Sequence, residues 1–313
     1  MSTTFAFVFP GQGSQAVGML DAWGDHPEVQ RTLAEASAAL GEDIAALIKS
    51  GPKEQLDLTT NTQPVMLTAG IACYRAWIAE TGLVPAAAAG HSLGEYTALV
   101  AAGALSLADA LPLVRFRAQA MQEAVPVGAG AMYAILGLDG ELVRETCKQV
   151  AAASGEVIEA VNFNDPKQTV IAGSKAGAEK AAEALKAAGA KRALPLPVSA
   201  PFHSSLMKPA ADKLKGKLAT TEFAALQFPV INNIDVAVVD TADALRDALY
   251  RQAFGPVRWV EVVQALKARG IHHIIECGPG KVLAGMAKRI DGEIISTTVL
   301  DPASLAEARA LLA

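Results

Sequence analysis

The pentapeptide GHSLG at residues 90–94 limits what this chain can fold into more than any other stretch. Ala86 to Ala89 run into it as a short apolar segment, and LGEYTALVAAGAL leaves it as a run of good helix formers. A strand that turns sharply into a helix lifts the serine hydroxyl above the sheet edge, and Gly90 and Gly94 remove side chains that would collide in the turn. Such an elbow needs an open sheet with helices packed on it. The rest of the chain complies: strand-like runs alternate with long Ala-rich helical stretches, the pattern of an α/β protein with a mainly parallel sheet.

One interval departs from that pattern. It begins at the flexible VGAGA (residues 127–131) and runs toward the stiff LPLPVSAP (residues 194–201). Within it the pattern predicts strand 131–136, helix 139–153, strand 157–162, strand 168–172, helix 175–188 and strand 191–196, the βαββαβ order of a ferredoxin-like unit. The middle strands join through FNDPK, whose Asn, Asp and Pro suit a hairpin. The expected architecture is therefore a discontinuous, α/β-hydrolase-like large domain of residues 1–126 and 198–313, with an inserted ferredoxin-like small domain of residues 127–197. A cleft between the two is the expected substrate site.

Composition removes whole classes of function. With 32 acidic against 27 basic residues the formal charge is −5, which argues against nucleic acid as a partner. The N-terminal apolar run covers only Phe5 to Phe9, and the longest uncharged apolar run, YTALVAAGALSLA, falls short of the roughly 20 residues that span a bilayer. Neither a signal peptide nor a membrane segment is expected. Cys73, Cys147 and Cys277 lack C-x-x-C spacing and read as buried thiols in a reducing, cytoplasmic setting. No metal and no cofactor are expected, and a monomer is the expectation.

A serine at its normal pKa needs a base, and the chain offers five histidines. His26 beside Pro27 reads as a surface or capping residue, and His91 as structural. His272 and His273 are adjacent, so on a strand they face opposite ways. His203, in the Pro-restrained VSAPFHSS that follows the inserted unit, is the leading base. Asp109, Asp139 and Asp165 lie between Ser92 and His203, yet the first sits in a helix and the others in the inserted unit. A dyad with the imidazole oriented by a backbone carbonyl fits better than a triad. The elbow also leaves the Leu93 N–H free at the positive end of a helix, where an oxyanion can bind.

FPGQGSQ, GHSLGEY, MQEAVP, GAM, VNFN, LPLPVSAPFHS, MKPAADKL and GPGKVL, in this order along the chain, together resemble the malonyl-CoA:acyl carrier protein transacylases of bacterial fatty acid synthesis. The resemblance implies an acyltransferase that moves a malonyl group from malonyl-CoA to acyl carrier protein through a malonyl-serine. It assigns Ser92 as nucleophile, His203 as base, the Gln12 and Leu93 amides as oxyanion hole, and Arg117 as the holder of the malonyl carboxylate. Gln252 in RQAFGPVRW and Asn162 in VNFN complete the implied substrate-binding set. On the expected helix 106–124, Arg115 and Arg117 each lie roughly 80° from the centre of the apolar stripe, on opposite flanks, so periodicity leaves both open. Only the resemblance selects Arg117.

Two alternatives bear on the same residues. GQGSQA at 11–16 fits the loosest dinucleotide fingerprint, but that site wants an acid about 20 residues on at a strand end, where the pattern is helical. A serine esterase or thioesterase on the same Ser-His pair is the other reading, and it leaves Arg117 without a role. An acidic carrier would need a local positive surface, for which Lys208, Lys213, Lys215 and Lys217, and KAAGAKR at 186–192, are candidates.

Overall fold

Phe5–Phe9 forms strand β1, and all five residues are buried. A strand with no exposed face has to lie in the interior of a sheet covered on both sides, and β1 does. The computed structural model describes residues 3–198 and 200–313. The chain continues through α1 (Pro27–Leu40), α2 (Ile44–Ser50), α3 (Lys53–Leu56) and α4 (Thr59–Thr81) to β2 (Ala87–Gly90), α5 (Gly94–Ala101) and α6 (Leu107–Glu123). The next stretch holds β3 (Gly130–Leu136), α7 (Gly140–Ser154), β4 (Ile158–Asp165), β5 (Gln168–Ser174), α8 (Lys175–Ala187) and β6 (Arg192–Pro195). It returns through α9 (Lys208–Ala219), β7 (Val230–Ile231), α10 (Ala242–Gln252), α11 (Trp259–Ala268), β8 (His273–Cys277), α12 (Val282–Ile290), β9 (Ile295–Val299) and α13 (Pro302–Leu312).

The strands form two separate sheets. The first has the order β7-β2-β1-β8-β9, with every pairing parallel. Side-chain alternation along β1 sends Phe5, Phe7 and Phe9 to one face and Ala6 and Val8 to the other. The phenylalanines meet Trp77 and Tyr74 of α4, with Phe7 edge-on to Trp77 at 5.5 Å between ring centres. The opposite face is filled by Trp259 and Leu266 of α11 and Leu283 of α12. The second sheet is antiparallel, in the order β4-β5-β3-β6. Its one face is closed by α7 and α8 through Val143, Cys147, Ala181 and Leu185. Its other face carries Met132, Val161, Val170 and Ala172 against Leu196, Val198 and Phe202.

Strand β4 outruns its expected end at 162. It stays extended to Asp165, so the FNDPK segment is mostly strand and the turn shrinks to Pro166 and Lys167. The cause lies far along the chain: the Phe163 N–H donates to Val257 O at 2.9 Å and Asn162 bridges Val257, giving β4 a second backbone partner. Among the described residues no helix is long and apolar enough to cross a membrane.

The elbow after β2 is set by backbone contact. A Cβ on Gly94 would stand 2.0 Å from Phe9 O, and one on Gly90 would stand 1.9 Å from the Gly94 carbonyl carbon. Gly94→Ala therefore has to push helix and sheet apart. It is expected to cost about 3 kcal/mol or more, read as a lowered denaturant midpoint; a wild-type midpoint would contradict this packing.

Candidate active site

Ser92 stands at the top of β2 with φ +52°, a left-handed conformation that a serine rarely adopts. Two hydrogen bonds from one buried side chain hold it there. Asn233 Oδ1 accepts the Ser92 N–H at 2.8 Å, and Asn233 Nδ2 donates to Gly90 O at 2.7 Å. The hydroxyl Oγ lies 2.7 Å from His203 Nε2. His203, itself at φ +65°, points Nδ1 at two backbone carbonyls, Gln252 O at 2.9 Å and Gly255 O at 3.2 Å. Carbonyls only accept, so Nδ1 carries the proton and Nε2 presents a lone pair to the serine.

No carboxylate takes part in that arrangement. Asp109 accepts from Ser106 at the start of α6, Asp139 caps α7, and Asp165 pairs with Arg289 at 2.7 Å. His26 caps α1. His91, beside the serine, is 2.8 Å from Asn164 Oδ1 through Nε2 and packs on Trp259. His203 is only 3% exposed; burial, then the charge of Arg117, brings its pKa down to about 3, so the ring is neutral and able to accept a proton.

The two arginines of α6 part company completely. Arg115 makes a fork with Glu42, both contacts at 2.8 Å. Arg117 is 2% exposed and touches no carboxylate among the described residues. Its Nη1 donates to Gln63 Oε1 at 2.8 Å, and its Nη2 donates to Gln252 Oε1 at 3.1 Å and to Ser92 Oγ at 3.3 Å. The guanidinium lies over the Tyr96 ring, 5.4 Å from its centre. Burial pulls its pKa below the ordinary arginine value, with Tyr96 and Glu95 opposing, and the group remains a cation.

These side chains border a cleft of about 130 Å³ between the first sheet's elbow and the face of the second that carries Met132. Gln12 and Leu93 line it. Among the described residues neither backbone N–H donates to a protein acceptor. Asn162 reaches the cleft from β4 with its Oδ1 unpaired among the described residues, and Met132, Leu196 and Val198 supply an apolar wall. Gln252 does not line the cleft. It is fully buried behind Arg117, where its Nε2 donates to Ser92 O at 2.9 Å and to Glu95 Oε2 at 3.0 Å.

The family model described as Acyl transferase domain matches residues 6–293. The chain is 54% identical to the malonyl CoA-acyl carrier protein transacylase of Escherichia coli strain K12, over 98% of this chain and 99% of the relative. The chain belongs to the malonyl CoA-acyl carrier protein transacylase family. It is 65% identical to the acyl-carrier-protein S-malonyltransferase of Burkholderia pseudomallei, whose crystal structure superimposes with a TM-score of 0.96 over 98% of this chain and 99% of that one. A malonyl-transacylase solved in complex with a type II polyketide acyl-carrier protein is also similar, at 51% identity and a TM-score of 0.95, over 98% of this chain and 99% of that one.

Sequence reasoning missed Gln63, Glu95 and Asn233. None belongs to a spacing rule; Glu95 alone stands in a motif, as the residue after GHSLG. Of the lysines considered for a carrier, Lys208 pairs with Asp212, Lys213 pairs with Glu123, and Lys215 lies over the Tyr250 ring.

The depressed His203 pKa ties stability to pH. The unfolded imidazole binds its proton near pH 6.5 and the folded one only near 3, so the contribution is complete above about pH 6.5 and is lost as pH falls through that interval. Comparing wild type with His203→Asn by denaturant unfolding, the wild-type protein is expected to lose about 3 kcal/mol more between pH 7 and 4. Parallel curves would contradict the burial of a neutral ring.

Proposed function

We propose that this chain transfers a malonyl group from malonyl-CoA to the phosphopantetheine thiol of acyl carrier protein through a malonyl ester on Ser92, supplying fatty acid synthesis. One observation carries the reading: a serine hydroxyl 2.7 Å from a neutral imidazole also lies 3.3 Å from a buried guanidinium that touches no carboxylate. An esterase has no use for such a cation. Malonyl and acetyl thioesters differ by one carboxylate, and a guanidinium fork meets that group in two charge-assisted hydrogen bonds.

In the first half-reaction Nε2 of His203 takes the hydroxyl proton as Oγ of Ser92 attacks the thioester carbonyl. The Gln12 and Leu93 amides face the developing oxyanion, a role supported by their free N–H groups on the cleft. Collapse of the tetrahedral intermediate breaks the carbon–sulfur bond, and the imidazolium returns its proton to the departing CoA thiolate. The second half-reaction runs these steps in reverse with the carrier's thiol as nucleophile, a ping-pong sequence. Asn162 faces the substrate from β4. Gln252 serves from behind, holding Arg117 by its amide oxygen and His203 by its backbone carbonyl.

The finer architecture follows the same reading. Residues 1–126 with 198–313 form an α/β-hydrolase-like large domain, and residues 127–197 an inserted ferredoxin-like small domain; Met1, Ser2 and Ser199 lie outside the described residues. The β4-β5-β3-β6 order with two helices on one face supports the second assignment. Three free, buried cysteines support a reducing, cytoplasmic setting.

Intact-protein mass spectrometry after brief exposure to malonyl-CoA tests the route. Wild type is expected to gain one malonyl group, Ser92→Ala none, and His203→Ala to acylate about 10²- to 10⁴-fold more slowly. Arg117→Ala is expected to lose a preference for malonyl over acetyl of about 10²-fold or more. An unlabelled wild type, or Arg117→Ala with its preference intact, would overturn the assignment.

A further inference from the structure

We infer that Glu95 is a specificity-positioning residue: the buried counter-charge of Arg117, held one amide away by Gln252, that sets how strongly the site prefers a carboxylated acyl group to a neutral one. The inference rests on the malonyl-transfer reading and concerns the same site. Glu95 is 2% exposed on α5. Its Oε2 accepts from Gln252 Nε2 at 3.0 Å and from the Asn233 N–H at 2.8 Å. The other end of the Gln252 amide accepts from Arg117 Nη2 at 3.1 Å. Guanidinium, amide and carboxylate thus form one hydrogen-bonded row, fully inside the protein.

That spacing has a chemical purpose. A carboxylate touching Arg117 directly would take the donors that a substrate carboxylate needs. Removing all negative charge would leave a buried cation uncompensated. Inserting a neutral amide keeps a counter-charge near while no carboxylate occupies the guanidinium, whose Nε stays unpaired among the described residues and whose Nη groups meet only neutral partners that a substrate carboxylate can displace. The substrate carboxylate then competes with Glu95 for the same positive field, so each weakens the other.

The competition makes selectivity depend on the protonation of Glu95. Burial pushes this carboxyl up to about 7, against hydrogen bonds from Gln252 and Asn233 and the charge of Arg117 that lower it. The charged and titratable groups facing it are Arg117 of α6, Tyr96 of its own helix, and Asp235 beyond β7, itself paired with Arg251. His203 touches the row through the Gln252 carbonyl and through the Ser92 hydroxyl and titrates far lower, and burial holds His91 below its ordinary range. Protonating Glu95 frees the field of Arg117 for the ligand, and by reciprocity a malonyl group draws a proton onto Glu95.

The test uses full-length Ser92→Ala protein, titrated calorimetrically with malonyl-CoA and acetyl-CoA at about pH 6, 7 and 8. Both ligands carry the same CoA, so its ionisations cancel in the ratio of their dissociation constants. Two carboxylates about 10 Å apart at an effective permittivity near 20 couple by roughly tenfold in binding. The preference for malonyl-CoA is expected to rise by about that factor from pH 8 to 6. In Ser92→Ala/Glu95→Gln it is expected to stay at the high value throughout. A preference in the Ser92→Ala protein that does not change with pH overturns the inference, whether or not the double variant folds. So does a double variant that keeps the slope, or whose preference falls below that of its parent. Equal binding of the two thioesters at every pH would instead overturn the malonyl reading itself.

Discussion

The approach of α5 to β1 is the contact on which the rest of the site depends. Gly94 lies so close to Phe9 O that any side chain would overlap it, and Gly11 lies against His91 O, where a Cβ would stand 2.6 Å away. These glycine contacts bring the loop after β1 and the turn after β2 to one point. Without them Gln12, Ser92 and Leu93 would not border a single cleft. The left-handed backbone of Ser92 costs about 1–3 kcal/mol. The two Asn233 hydrogen bonds and burial at the elbow outweigh that strain.

Electrostatics then divides the work among buried groups. Arg117 is desolvated yet remains charged, and its neighbours are neutral amides, a tyrosine ring and the serine hydroxyl. The same cation helps keep His203 unprotonated. One buried positive charge therefore acts twice: it lines the cleft as a cation with no carboxylate beside it, and it opposes protonation of the ring that stands against the Ser92 hydroxyl. Neither effect would survive in open solvent, where screening would dissipate both.

Much of this was legible in the chain itself. The strand-turn-helix around GHSLG follows from local punctuation, and the alternation within residues 127–197 follows from periodicity with Gly and Pro boundaries, both of which are local signals. His203 emerges by elimination, because only five histidines are present and the others have local explanations. Arg115 and Arg117 could not be separated by helical phase, since they flank the apolar stripe symmetrically. What separates them is Glu42, 73 residues from Arg115 in sequence and beside it in space. Asn233 was invisible for a related reason: it acts on Gly90 and Ser92 across more than 140 residues through backbone atoms, and backbone atoms carry no sequence signal. The extension of β4 depends likewise on Val257, a partner that no local pattern announces.

Phe9 and Gly90 are direct partners in the parallel ladder between β1 and β2. The two loops that border the cleft leave the sheet from the same rung, so the spacing between their amides starts from interstrand hydrogen bonds before the glycine contacts of the loops refine it. A slip of one rung would move those amides apart by a full residue repeat, about 3.3 Å, and would reverse the faces of every side chain on β1. The dimensions of the cleft are therefore calibrated by the same backbone lattice that holds the hydrophobic layers together.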